Sequence, residues 1–222
     1  MKTFLTLSAD QAKGLDQSIF ENAEELYQNA NLLVEHAESY SKATSLMVLS
    51  LEETIKAIIL KLHSEGLDVY KIEGLRKFVR DHKIRHQVAQ LIEMGAGLIE
   101  IYDGWTEAKK SPPKFKYNWI NNIVYGFQAS LKIKKPLERI QKLQNFDTLK
   151  NHGLYTGFKN GLINPKQEVS KKDFEDVKSI VERTRNFHRL IQIIYRPVGK
   201  NSSLNKRNEN LKVHLTASLM NL

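Results

Sequence analysis

Glu52, Glu53 and Lys56 stand in the middle of a stretch that is otherwise apolar, ATSLMVLSLEETIKAIILKL over residues 43–62. The stretch has no Gly or Pro and is long enough for about five helical turns. Leu46, Met47, Val48, Leu49, Leu51, Ile55, Ile58, Ile59, Leu60 and Leu62 make it apolar on nearly every side. A helix of that kind is covered by neighbours on several faces. Ser45, Glu52, Lys56 and His63 recur at steps of seven, four and seven, so helix geometry lines them up in one stripe. That stripe has two readings. It is the one solvated face, with Glu52 and Lys56 forming an (i, i+4) pair worth about 0.2–0.5 kcal/mol. Alternatively it is a partly buried polar cluster at a functional surface, where desolvation and charge partners tune acids and bases.

A second polar constellation is RDHKIRH at residues 80–86. His82 and His86 are four apart and could face one metal together, but a zinc site needs a third ligand and no spacing marks one. Asp81 and Arg85 read as an ordinary helix pair. There is no Gly-rich phosphate loop, no nucleotide fingerprint and no Ser/His/Asp spacing signal, so neither a cofactor nor a metal is expected. A third feature is charge. From residue 109 to residue 150 ten basic residues face only Glu138 and Asp147, whereas residues 1–60 hold nine acidic residues against four basic ones. Lys109, Lys110, Lys114, Lys116, Lys132, Lys134 and Lys135 could form a basic face for RNA or an acidic protein, or a solvated helix face that aids solubility. Trp105 and Trp119 flank the Pro112–Pro113 loop within this region. They read as core edges, with base stacking as the alternative.

The elements that must position these groups are helical. The chain has 222 residues, a formal net charge of +9, 41% hydrophobic residues and no cysteine. That excludes disulfides and cysteine-ligated zinc and fits a reducing, cytoplasmic setting. The N-terminus lacks a signal-peptide apolar core, and no apolar run reaches the 18 or so residues that span a membrane. A first helix is predicted over residues 8–37, capped by Ser8 with Gln11. Ile19, Ala23, Leu26, Ala30, Leu33 and Ala37 alternate steps of four and three, with Ala23, Ala30 and Ala37 at one heptad position. The short link to residues 43–62 makes the two helices an antiparallel hairpin. Further helices are predicted over 75–102, broken near RDHKIRH, and over 117–145, ended or kinked at Pro136. Tyr155, Thr156 and Phe158 before Asn160–Gly161 predict a small β-hairpin over 154–163. Ser170 and Asp173 open a last helix over 171–195 that Pro197 and Gly199 stop. The expectation is one domain over residues 1–198, then a polar mobile linker and a short apolar segment over 199–222, for which a second subunit is one docking place.

The run NAEELYQNANLLVEHAESYSKATSLMVLSLEETIKA resembles the AbiV family of bacterial abortive-infection proteins. The marks are Asn22–Ala23, Leu26, Ala30, Leu33, Ala43, Leu46, Glu52–Glu53 and Lys56. The likeness continues through Asp81–His82–Lys83 and returns at Gly153–Leu154–Tyr155, Pro165 and the last helix; it departs at Thr54–Ile55. The resemblance implies phage defence that stops growth of the infected cell, usually by blocking a process such as translation. It also implies kinship to the HEPN superfamily, whose all-helical and often dimeric domains in many cases cut RNA without metal through an Arg-x4-6-His motif. Arg80 and His86, with Asp81 following the Arg, fit that motif. His86, with His82 beside it, could take the proton from a ribose 2′-OH, and Arg80 could hold the scissile phosphate. Arg80 and His86 share a helix face only if the segment bends, since six residues span about 600° of helix. Arg183 and His188 are a second match, on the last helix.

Together these give an all-α, HEPN-like bundle of long antiparallel helices. Glu52, Glu53, Lys56, Asp81 and Lys83 form a binding or structural polar cluster. The activity expected is translation block through RNA cleavage after a phage-encoded protein trigger, in a homodimer free in the cytoplasm. The alternative is a non-enzymatic helical binder of a phage or translation component.

Overall fold

The computed structural model describes residues 4–67, 69–71, 143, 145–158, 162–196, 209, 212 and 213. The described part is predominantly helical. A 3₁₀ turn at Phe4–Thr6 leads into α1, Ala9–Ala12, which Ser8 and Gln11 close with a reciprocal capping box. The single helix predicted over 8–37 is interrupted here. Gly14 takes a left-handed conformation at φ 80°, a region open to Gly at little cost, and α2 begins afresh as Leu15–Ala37. Glu38, also left-handed at φ 47°, turns the chain into α3, Tyr40–Ser64. The two-residue link forces α2 and α3 to run antiparallel, as the sequence predicts.

α3 is the centre of the core. Ala43, Met47, Val48, Leu51, Ile55, Ala57, Ile58, Ile59, Leu60 and Leu62 are buried along its length. Burying a Leu, Ile, Val or Met side chain contributes about 1.5–3 kcal/mol each, so this one helix carries a large part of the folding drive. α2 lies against it through Ala23 and Ala30, both fully buried, and Ser50 donates to the Ala23 carbonyl at 2.6 Å. The small-residue heptad therefore serves the chain's own hairpin at two positions, while Ala37 is exposed.

Three more helices are described. α4 is Phe146–Leu154, α5 is the single turn Pro165–Glu168 capped by Asn164, and α6 is Lys171–Ile194, opened by the predicted capping box of Ser170 and Asp173. α6 buries Phe174, Val177, Ile180, Val181, Ile191 and Ile194 against α3, and Phe146 and Leu143 fill the same core. Between α4 and α5 the backbone of Gly157–Phe158 pairs antiparallel with Leu162–Ile163, two residues on each side. The Asn160–Gly161 turn lies outside the described residues. So do the expected helix over 75–102, the loop over 104–116 and, apart from Leu143 and Asn145, the basic helix over 117–145. In the C-terminal region Lys212 sits 5.5 Å above the Tyr195 ring, at the end of α6.

Candidate functional site

The polar stripe of α3 is not a solvated face in its N-terminal half. Ser45 and Glu52 are buried, at 0% and 2% exposure, beneath α4. Lys150 of α4 reaches Glu52 Oε1 at 3.0 Å and Asp147 Oδ1 at 3.2 Å. Two turns back along α3, the Ser45 hydroxyl donates to the Lys150 carbonyl at 2.8 Å and lies 3.3 Å from the Ser41 carbonyl. The two helices approach so closely here that Gly153 is obligatory. A Cβ on it would overlap the Ser45 hydroxyl and the Ser41 carbonyl oxygen. A buried charge is tolerated only when paired and hydrogen-bonded, and Lys150 meets that condition for Glu52.

The C-terminal half of the stripe differs. Lys56 pairs with Glu53 rather than Glu52, and both are about one-fifth exposed. His63 Nε2 lies 2.9 Å from the Leu7 carbonyl, with its ring 4.8 Å from that of Tyr70, so it ties the N-terminal segment to the end of α3.

A second polar array joins α2 to α6. The helices are antiparallel, and four rungs connect them in order. Gln192 Nε2 donates to Asp16 Oδ2 at 2.6 Å. The His188 ring stacks on Phe20, centroids 3.9 Å apart. Arg185 pairs with Glu24 while its guanidinium lies 3.7 Å above the Tyr27 ring. The Tyr27 hydroxyl donates to Glu182 at 2.6 Å. Burial pushes the Glu24 carboxyl up, but the hydrogen bond and charge of Arg185, helped by Arg189, outweigh it and hold Glu24 below the usual carboxylate range. Burial and the Glu182 carboxylate both raise the Tyr27 phenol. His188 is 1% exposed, and burial depresses its imidazole to about 4; Arg189 and Lys61 push the same way and Asp16 opposes them.

This placement answers one sequence expectation directly. His188, the histidine of the Arg183/His188 match, is sealed between Phe20 and Gln192 and neutral at physiological pH, so it cannot meet an RNA hydroxyl from solvent in this conformation. The other match, Arg80 and His86, lies outside the described residues, as do Asp81, His82, Lys83 and the basic residues Lys109, Lys110, Lys114, Lys116, Lys132, Lys134 and Lys135. Of the predicted polar cluster, only Glu52, Glu53 and Lys56 are described, and of the two acids beside it Lys56 pairs with Glu53 rather than Glu52. The cation that Glu52 uses, Lys150, is far along the chain, where the sequence counts it with the basic residues of 109–150. Its burial removes it from any basic face. No local spacing could have revealed it; the Ser45 and Gly153 pair, small residues on two helices, was the available signal of a close crossing.

Among the described residues no group of three or more His, Asp or Glu side chains could hold a metal ion, and no helix is long and apolar enough to cross a membrane. No curated protein and no solved structure gives a significant match to the chain. A family model, described as AbiV, matches residues 11–188, a span that runs from α1 through the buried Glu52–Lys150 pair to His188 of α6. With the match extending over most of its length, and with the helical hairpin and last helix in the predicted places, the chain belongs to the AbiV family of HEPN-like proteins and so to abortive-infection defence against phage.

Proposed function

We propose that this protein arrests the infected cell by cutting RNA and thereby blocking translation, after a phage-encoded protein has triggered it. Arg80 and His86 are the catalytic pair, with His82 beside them, and a homodimer brings two such pairs into one groove. The observation that supports this reading is the burial of His188, which speaks against the match on α6; Arg80 and His86 are chosen for their Arg-x5-His spacing. In this mechanism His86 takes the 2′-OH proton as that oxygen attacks the adjacent phosphorus, the P–O5′ bond breaks to leave a 2′,3′-cyclic phosphate and a 5′-oxygen that takes a proton from water, and Arg80 neutralises the charge that builds on the phosphate. The reaction needs no metal and no other cofactor, and it takes place in the cytoplasm. The region 1–198 acts as one domain, and the apolar segment after the polar linker serves the dimer.

The test is purified protein incubated with cellular RNA, with and without extract of phage-infected cells. Cleavage that disappears in His86→Ala and persists in His188→Gln supports the proposal. RNA left intact under every condition supports instead a non-enzymatic binder that captures a phage or translation component through Lys109, Lys110, Lys114, Lys116, Lys132, Lys134 and Lys135. One feature favours that second reading: the deeply buried Glu52 and His188 are both engaged in joining helices.

A further inference from the structure

The rung nearest the N-terminus of α2 has a donor arrangement that depends on one proton. Asp16, 4% exposed in the first turn of α2, accepts through Oδ2. Gln192 must therefore present its amide nitrogen to Asp16, at 2.6 Å. That same nitrogen lies 3.2 Å from His188 Nε2. An amide nitrogen has two hydrogens and no acceptor site, so Gln192 donates one to Asp16 and one to His188. His188 Nε2 is consequently the acceptor of a neutral ring, and the proton resides on Nδ1, which has no hydrogen-bond partner among the described residues.

Protonation of His188 defeats this arrangement. An Nε2–H would point at the Gln192 NH₂ group, donor against donor. Turning the amide over would give His188 an acceptor but would set the Gln192 carbonyl against the Asp16 carboxylate. The charges around the ring do not relieve the conflict. From α6 Arg189 opposes the imidazolium, and from α3 Lys61 does the same, although Lys61 is itself paired with Glu65. From α2 only Asp16 favours it, and Glu24, two turns further along, is committed to Arg185 and Arg189. Phe20 covers one face of the ring.

We propose that Asp16, Gln192 and His188 form a proton-sensitive latch that holds the start of α2 against the end of α6 while His188 is neutral and releases it when the imidazole takes up a proton. Release would loosen the start of α2 and the end of α6, where Lys212 of the C-terminal region lies over the Tyr195 ring. The latch is independent of whether the protein cuts RNA.

The full-length protein is titrated from about pH 8 to about pH 3 by NMR of its histidine rings, with amide exchange corrected for the intrinsic rate followed in parallel. The His188 signal, identified by its loss in His188→Gln, is expected to stay at its neutral position until well below pH 6. As it titrates, amides of residues 15–27 and 182–194 should lose protection while those of 47–60 keep theirs. His188→Gln, which retains an acceptor for Gln192 and cannot take up the proton, should abolish that loss. Gln192→Glu supplies a carboxylate beside the ring and should move the transition up by about one pH unit or more. A folded His188→Gln that loses protection like the parent overturns the latch. If His188→Gln does not fold, Gln192→Glu decides: an unmoved transition overturns it. A His188 that titrates near its ordinary value with no change at the seam also overturns it.

Discussion

The two polar seams of this protein are built on different principles. Where α3 meets α4 the backbones are in close contact, glycine against serine, and the Lys150–Glu52 ion pair is enclosed at 3.0 Å, with Asp147 beside it at the rim. Where α2 meets α6 the backbones stand apart and long side chains span the gap in four rungs, some of them half open to water. Both helices of the second seam lean on α3, and side chains bridge their edges. The first seam should therefore be stiff and intolerant of any change in volume or charge. The second should be adjustable and sensitive to solution conditions.

The sharpest test of the contrast is Lys150→Met. The change takes the Lys150 ammonium away from the buried Glu52, and breaking a buried ion pair by removing one member costs about 3–5 kcal/mol. Urea denaturation should show that loss, and the double variant Glu52→Leu/Lys150→Met should regain most of it, because an apolar pair leaves no charge stranded. A single variant as stable as the parent would mean that Glu52 is not as enclosed as its 2% exposure indicates.

Acid should act on the other seam. His188 is held near 4 against an ordinary value of 6.5, so the unfolded chain binds its proton more readily than the folded one. Stability from this group is fully present above about pH 6.5 and is lost as pH falls from there towards 4, by about 3 kcal/mol in all at 1.36 kcal/mol per pH unit. Denaturant midpoints measured across that window should fall more steeply in the parent than in His188→Gln. Equal slopes would remove His188 as the cause.

Gly153→Ala asks how rigid the first seam is. The added methyl meets a backbone carbonyl as well as a hydroxyl, and overpacking of this kind costs about 1–3 kcal/mol. Combining it with Ser45→Ala should restore little, since the Ser41 carbonyl remains in place; full rescue would show that the hydroxyl alone sets the limit. The smallest effect is expected at Lys56→Met. Its partly exposed partner Glu53 is three residues away on the same helix, and such pairs contribute about 0.5 kcal/mol or less. A thermal midpoint that falls as far as that of Lys150→Met would place Lys56 in a buried network and erase the distinction between the halves of the stripe.

Periodicity and capping chemistry were enough to read much of the helical frame. Ser8 with Gln11 and Ser170 with Asp173 announce helix starts through local hydrogen bonds that need no tertiary partner, and both boxes form. The alternating apolar residues of 171–195 and the continuous apolar run of 43–62 likewise mark an edge helix and a central one. The break at Gly14 was less legible, because a glycine inside a helical pattern is compatible with either a break or a tolerated residue, and only the backbone angle decides.

The candidate site was read less well, for a reason of range. Glu52 and Lys56 are one helical turn apart, so sequence spacing proposes them as a pair. Rotation about the α3 axis turns Glu52 inward and leaves Lys56 at the rim with Glu53. The cation for Glu52 comes from a residue ninety-eight positions later, a relation that spacing does not encode. His188 shows the same limit. Sequence marks an Arg and a His at a spacing suited to RNA chemistry, while burial under Phe20 makes that histidine a structural group. What the sequence determined by itself is the part of the protein set by local forces: helix periods, caps, the antiparallel hairpin and the family to which they belong. What only the tertiary structure decided is which charges leave water and which partners they find, because desolvation and pairing depend on neighbours that are distant in the chain.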